Sequence, residues 1–281
     1  MESNTTKLEH LKRLRKVLFF IEKNLNEELS LEQLAKIGCF SMYHFHRIFH
    51  GAIGEAPGAY VRRLRLEQAA GHLVYSNTQI TDIALDACYD TPSAFTKAFK
   101  KVMGCTPTQY RDNAPINHQK QENFVMKPVI QTIKDLSVLS VRKTGSYDKS
   151  APASWKALKQ FVDKHQLHGG STRFFGIYHD NPDITVEENI RSEACCTAPP
   201  NIPEEGEITR NVIQGGRYAT FEHKGPLNNL DKTFDGIFAN WYPQSGEKLA
   251  DHPCLIELSE LPERGDSPDT LAKVHIPLVY I

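Results

Sequence analysis

A pattern that occurs twice constrains this chain more than any other feature. Residues 29–60 read LSLEQLAKIGCFSMYHFHRIFHGAIGEAPGAY, and residues 80–110 read ITDIALDACYDTPSAFTKAFKKVMGCTPTQY. Ala35, Cys39 and Phe40 correspond to Ala84, Cys88 and Tyr89. After one inserted residue, Phe45, Phe49, Gly54, Pro57 and Tyr60 correspond to Phe95, Phe99, Gly104, Pro107 and Tyr110. A helical pattern repeated with its turn and its G-x-x-P-x-x-Y ending implies two copies of one supersecondary module, over 29–60 and 79–110.

Each copy reads as two short helices and a tight turn, followed by a third helix. Ser30 with Gln33 makes a capping-box start, and Leu31, Leu34 and Ala35 form an apolar stripe. Ser41 can cap a second helix on which Met42, Phe45, Ile48 and Phe49 share one face. Tyr43, His46, Arg47 and His50 share the opposite face. In the second copy Phe95, Ala98, Phe99 and Val102 are expected inward, and Ser93, Thr96, Lys97 and Lys100 outward. A turn-linked helix pair whose second member carries a polar, basic outer face is what a helix-turn-helix needs to reach base edges in the major groove. One copy alone is better explained by a helical hairpin with a solvated face; two copies with the same donor-rich helix reverse that preference in favour of base reading. The stretch from Pro57 to about His72 is a connecting helix, with Arg62, Arg63 and Arg65 as its charge. About 18 helical residues span about 27 Å. With the widths of the modules added, that can hold two reading helices one DNA turn apart, about 34 Å.

Residues from about 10 to 113 resemble the DNA-binding domain of the AraC/XylS family of bacterial transcription regulators. The resemblance is carried by Leu31-x-x-Leu34-Ala35, Phe40-Ser41, Phe45-x-Arg47-x-Phe49, Gly54-x-x-Pro57-x-x-Tyr60, Ile83-Ala84, Tyr89, Phe95-x-Lys97-x-Phe99 and Gly104-x-Thr106-Pro107-x-x-Tyr110-Arg111. It implies base-facing roles for Tyr43, His46 and Arg47 in the first copy. In the second it implies them for Pro92, Ser93, Thr96 and Lys97. Lys100, on the same outward face, is expected to meet phosphate. The family usually has Gly in the turn where Cys39 and Cys88 stand here. A left-handed Cys at that position costs about 1 kcal/mol.

Charge agrees in sign. Residues 1–113 hold 15 Lys+Arg against 12 Asp+Glu (+3), and residues 114–281 hold 18 against 22 (−4). The positive half is the half with the repeated module, as phosphate binding requires. No apolar run approaches the ~20 residues of a membrane span, so no membrane association is expected. The start lacks a signal peptide's apolar core. Six Cys without a C-x-x-C pair fit neither a zinc site nor a disulfide framework. The expectation is a cytoplasmic protein without cofactor or metal.

Residues 7–27 make an amphipathic first helix. The polar, proline-containing stretch 114–124 is expected to be a linker, separating an all-α double helix-turn-helix domain (1–113) from a domain at 125–281. From Val125 the pattern becomes that of strands. VIQTIKDLSVLSVRKTG alternates in strand fashion up to a Gly stop, a helix opens at Ser150 or Ala151 with Trp155, Leu158, Phe161 and Val162 inward, and RFFGIYHDNPD and EACCTAP are strands, with Cys195 and Cys196 on opposite faces. GGRYATFEHKG, a helix with Phe234, Ile237, Phe238 and Trp241 inward, HPCLIELSEL and KVHIPLVYI repeat the plan. The second domain is therefore expected to be a duplicated α+β fold.

That plan is similar to the GyrI-like effector-binding domain. Gly145-x-Tyr147, Gly176-x-Tyr178, Asp180-x-Pro182, Arg191-x-Glu193, Gly216-x-Tyr218-Ala219, His223-x-Gly225-Pro226, Trp241 and Pro253-x-x-x-Glu257 occur in order. The resemblance implies binding of bulky hydrophobic, often cationic molecules, with Glu257 at the pocket carboxylate position. Tyr147, Tyr178, Tyr218 and Trp241 are candidate walls that could add cation–π contacts of about 0.5–2 kcal/mol each. Ordinary core packing competes for each aromatic, above all Trp241, and an ion pair with Arg competes for Glu257. Ser259 stands where the family often has Tyr. The expected function is a transcription activator, monomeric on double-stranded DNA, contacting RNA polymerase and gated by a hydrophobic or cationic effector. The alternatives are an effector-independent regulator whose second domain contacts proteins, and a ligand-modifying hydrolase. Against an enzyme, there is no Ser-His-Asp arrangement, G-x-S-x-G, H-E-x-x-H or phosphate loop.

Overall fold

The computed structural model describes residues 2–113, 126–262 and 270–280, with side chains from residue 8. It divides into two compact units, Met1–Pro115 and Ile116–Ile281. The expected linker at 114–124 lies outside the described residues.

The first unit holds seven helices among the described residues: α1 (Glu2–Lys23), α2 (Leu31–Ile37), α3 (Met42–Ile53), α4 (Pro57–Tyr75), α5 (Ile80–Asp86), α6 (Pro92–Met103) and α7 (Pro107–Asp112). Local chemistry sets most boundaries. Ser30 accepts from the Gln33 N–H, Ser41 from His44 and Thr91 from Ala94; Thr106 and Gln109 close a capping box. Gly54 and Gly104 end α3 and α6 at φ of 89° and 81°, a conformation that favours glycine. Both turns between the paired helices are built alike. Cys39 donates to the Lys36 carbonyl and Phe40 to Ala35; Cys88 donates to Leu85 and Tyr89 to Ala84. These are Schellman closures, and they place Cys39 and Cys88 at φ of 53° and 59°. Gly38, one residue earlier, is right-handed. It is small because a Cβ there would stand 2.7 Å from the Phe40 ring. Cys39 is exposed, so Cys39→Gly is expected to relieve the left-handed strain and stabilise the protein by about 0.5–1 kcal/mol. A higher urea midpoint at unchanged slope would register it.

Two expectations about helix faces are corrected. Met42 and Val102 are 53% and 51% exposed, because each lies at a helix end beyond the reach of the core.

The second unit is one antiparallel sheet of β1 (Val129–Ile133), β2 (Leu136–Thr144), β3 (Phe174–Tyr178), β4 (Arg191–Thr197), β5 (Thr209–Ile213), β6 (Gly216–Lys224), β7 (Cys254–Leu258) and β8 (Leu271–Leu278). Their order is β1-β6-β8-β7-β3-β4-β2-β5. The helices are α8 (Tyr147–His165) and α9 (Leu230–Gly236), which runs through a wide π turn (Ile237–Trp241) into α10 (Tyr242–Ser245). The strand-like stretch after Val125 forms two strands, broken at Lys134-Asp135, and β5 was not anticipated. α8 starts at Tyr147, earlier than Ser150: Pro152 suits a first turn, yet here it sits inside the helix.

Register is internally repetitive. The pair Arg142↔Glu193 recurs 80 residues later as Glu222↔Lys273, and Ile177↔Glu193 as Glu257↔Lys273. Val129↔Thr220 at one edge matches Ser140↔Thr209 at the other under the same offset. Gly145 and Gly225 share it too, at φ of 121° and 131°, donating to the Ile190 and Thr270 carbonyls.

Alternation divides the side chains between two faces. One packs under the helices: Leu139, Val141, Cys196, Ile256, Leu258, Val274 and Ile276 against Trp155, Leu158, Phe161 and Val162. The other carries a smaller core of Val138, Phe175, Ile177, Cys195, Tyr218 and Leu255. Beside that second core the β1–β2 and β5–β6 connections meet. Gly215 donates to the Asp135 carboxylate, and a Cβ on Gly215 would meet backbone atoms of residues 133–135 at 2.6–2.7 Å. Only glycine lets the two turns touch there.

Candidate nucleic-acid interface and ligand-binding face

On α3, Phe45 and Phe49 are fully buried. Helical geometry then turns Tyr43, His46, Arg47 and His50 outward, and all four are exposed. On α6, burial of Phe95 and Phe99 leaves Pro92, Ser93, Lys97 and Lys100 exposed and Thr96 half-buried. The scaffolds beneath match. Ring centroids run Phe45–Phe49–Tyr60 at 5.5 and 5.6 Å, and Phe95–Phe99–Tyr110 at 5.5 and 5.3 Å. α4 packs against both α3 and α6. Arg47 donates to the Tyr43 hydroxyl at 2.9 Å and lies 5.7 Å over its ring. That contact pre-orders a planar five-donor group suited to paired acceptors on a base edge.

Of the three arginines read as charge on α4, two have structural duties. Arg63 pairs with Glu55 at 2.6 Å and Glu67 at 3.2 Å; burial pulls its pKa down, but these carboxylates raise it above its ordinary value. Arg65 donates to the Leu25 and Glu27 carbonyls. Arg62 is the exposed member. Arg111 is a staple of the second module, donating to the Leu73 and Thr78 carbonyls.

In the second unit the structure separates the five residues expected around a ligand. Tyr218 and Glu257 lie on the face of the smaller core. Tyr178 and Trp241 pack on the helix-covered core, and Tyr147 is with them, its ring 4.9 Å from Tyr178 and its hydroxyl donating to the Asp180 carbonyl. The expectation of one carboxylate ringed by all four aromatics is therefore corrected: β-sheet backbone stands between them. Trp241 meets Phe221 edge-on at 5.0 Å, as core packing would have it.

Glu257 is not alone. Arg173 donates to it at 2.8 Å, and His275 Nε2 lies 3.1 Å away. Burial raises its pKa, but the bonds from His275 and Arg173 and the Arg173 charge outweigh that and hold it at about 2. Behind His275, Nδ1 meets the Thr220 hydroxyl at 2.9 Å, and Gln131 donates to the same oxygen at 2.7 Å. Arg173 is the more exposed partner, at 41% against 1% for His275. A second carboxylate, Glu193, is fully enclosed on the same face by Arg142 and His179, at 2.6 and 3.1 Å. Neither arginine was singled out from sequence. Among the described residues no group of three or more His, Cys, Asp or Glu is placed to hold a metal, and no helix is long and apolar enough to cross a membrane.

Residues 126–279 match the GyrI-like small molecule binding domain, and residues 34–113 match a helix-turn-helix domain. The transcriptional regulator Rob of Salmonella typhimurium is 25% identical over 276 residues, covering 85% of this chain and 93% of that one. The right origin-binding protein of Escherichia coli K12 is 24% identical with the same coverage. The HTH-type transcriptional activator AarP of Providencia stuartii is 37% identical over 98 residues, or 35% of this chain and 73% of the relative.

Proposed function

The chain belongs to the GyrI-like family through residues 126–279 and carries an AraC-type helix-turn-helix region ahead of it, and from that premise we propose how each unit works. The protein is a DNA-binding transcription regulator of the AraC/XylS family, and its full-length relatives are regulators rather than enzymes. We propose that one monomer reads two successive major grooves of a duplex with α3 and α6, activates transcription and contacts RNA polymerase. The supporting observation is the matched pair of outward faces on α3 and α6, set on matched aromatic scaffolds and joined to one shared helix. Tyr43, His46 and Arg47 then face one set of bases; Pro92, Ser93, Thr96 and Lys97 face the other. Arg47→Ala is expected to cost about 1–3 kcal/mol of operator affinity and to relax preference at one base pair. Lys100→Ala is expected to weaken all sequences alike and to flatten the salt dependence by about one unit. Fluorescence anisotropy across a panel of single-base operator variants separates the two, and equal loss on every sequence for Arg47→Ala would remove it from base reading.

For the second unit we propose that a hydrophobic cation binds the sheet face bearing Glu257 and Tyr218, and displaces Arg173. The carboxylate is already ionised and His275 holds it from behind, so the ligand need only replace the more exposed counter-ion. Differential affinity between two conformations is what would couple this to DNA binding. We take the 80-residue register offset as the mark of a duplicated half-domain. A lipophilic quaternary cation is expected to raise the thermal midpoint of the intact chain and to lose that effect in Glu257→Gln. If no such cation stabilises the protein, the effector assignment fails.

A further inference from the structure

The first unit contains a cavity of about 310 Å³ where its two modules meet along α4. That is at the small end of the ~300–1,000 Å³ typical of ligand pockets. Leu31 and Leu34 line it from the first module, Val61, Arg62 and Arg65 from α4, and Cys88 and Tyr89 from the turn of the second. Its walls are largely apolar, but its polar groups all favour one kind of guest. Among the described residues Arg62 makes no ion pair, and Arg65 is bonded to the neutral Leu25 and Glu27 carbonyls. The Tyr89 hydroxyl is shielded from solvent without a hydrogen-bond partner. A buried hydroxyl left unbonded is destabilising, and such an orphan needs an explanation. An acceptor carrying negative charge satisfies the Tyr89 hydroxyl and pairs with Arg62, while Arg65, already bonded to two carbonyls, adds only its charge. A neutral guest gains nothing from the two guanidinium charges, and a cation is repelled by them.

We propose that this cavity binds a small organic acid, a carboxylate on an apolar body of roughly bicyclic-aromatic size, held by Arg62 and the Tyr89 hydroxyl. Both modules contribute wall residues, so the guest ties one to the other across α4 and biases the spacing of α3 and α6. The binding claim stands apart from the effector assigned to the second unit, which prefers the opposite charge.

The probe is 2-naphthoate, with the neutral 2-naphthamide as its control, titrated into the full chain and followed by ligand fluorescence anisotropy. Naphthoate is expected to saturate one site and the amide to bind at least tenfold more weakly. Arg62→Gln, at an exposed position, is expected to lose about ten- to hundredfold in naphthoate affinity, the value of one charge-assisted hydrogen bond. Tyr89→Phe provides a readout that a purely structural role would not give: the unliganded chain melts at a higher temperature while naphthoate affinity falls. Cys88 lines the cavity and Cys39, its counterpart in the other module, does not. Naphthoate should therefore slow alkylation of Cys88 by iodoacetamide and leave Cys39 unchanged, read by peptide mass spectrometry. The proposal is overturned if millimolar naphthoate does not bind, if the amide binds equally well, or if both variants keep full affinity. It is also overturned if Cys88 is protected by inorganic phosphate or a short random duplex and not by naphthoate, which would make the groups a DNA phosphate contact.

Discussion

Glu193→Ala is expected to destabilise the second unit by about 3–5 kcal/mol at neutral pH, the range for removing one member of a buried ion pair. Glu193 is 3% exposed and accepts from Arg142 at 2.6 Å, with His179 at 3.1 Å and Asn211 at 3.5 Å. Without the carboxylate, the Arg142 guanidinium loses the Glu193 charge in a wall where its side chain is only 14% exposed. Glu193→Gln keeps the shape and two acceptor positions, so a smaller loss is expected. The pH dependence has a definite sign. Burial pushes the Glu193 carboxyl up, but the Arg142 charge and the His179 bond override it and leave the pKa well below the ordinary value. A group depressed in the folded state contributes stability that is present above its unfolded pKa, about 4.3, and is lost as pH falls through the folded value. The gap between the native chain and Glu193→Ala should therefore be widest near pH 7 and narrow below about pH 4. Urea unfolding followed by tryptophan fluorescence reports on this unit alone, because the chain's two tryptophans, Trp155 and Trp241, both lie in it. A gap under 1 kcal/mol at pH 7, or one that widens in acid, would show that the pair is not what holds this part of the sheet.

How far the sequence speaks for the structure depends on how local each signal is. In the first unit the short helices of both modules were readable from the sequence, while α1, expected over 7–27, runs Glu2–Lys23, and α4 runs on to Tyr75. The module caps are chemical groups three residues from the N–H they bind, and the core faces follow from the spacing of Phe45, Phe49, Phe95 and Phe99. Met42 and Val102 failed at the helix ends, where periodicity continues and the core does not. In the sheet, alternation indicates which residues share a face within a strand: Glu257 lies opposite in facing to Ile256 and Leu258. It cannot say which face of another strand that matches. That needs the β3·β7 register, in which Phe175 stands across from Glu257 and Tyr178 across from Cys254, and no local pattern carries it. The same non-locality hid Arg173, 84 residues from Glu257. It also hid the duties of Arg63 and Arg65: a stretch reading RRLR looks like a surface for phosphate until its carboxylate and carbonyl partners are located.

The connection between the reading helices yields the largest expected effect on DNA binding. Inserting five base pairs between the two half-sites of an operator is expected to lower affinity at least a hundredfold, and inserting ten is expected not to restore it. Five base pairs turn the second major groove to the far side of the duplex. Ten return it to the near side but move it one further turn, about 34 Å, along the axis. A protein whose two modules were joined by a flexible segment could stretch to follow the ten-base-pair change. This one has α4, 19 residues long and so about 28 Å, packed against both α3 and α6. The arginines that could have been free charges are committed to keeping that helix in place: Arg65 ties it to the chain beyond α1, and Arg111 of α7 ties back to its end at Leu73. Sliding either module along α4 breaks these bonds and uncovers Tyr60, Leu64, Leu66 and Leu73, all at most 3% exposed. That loss exceeds what a second set of base contacts would return, about 1–3 kcal/mol for each good bidentate pair. Loss of one module's contacts accounts for the hundredfold, since 1.4 kcal/mol is a factor of ten. Recovery of affinity at ten inserted base pairs, measured at fixed salt, would mean the modules are joined loosely or act from two separate chains, and the single-monomer reading of consecutive grooves would be wrong.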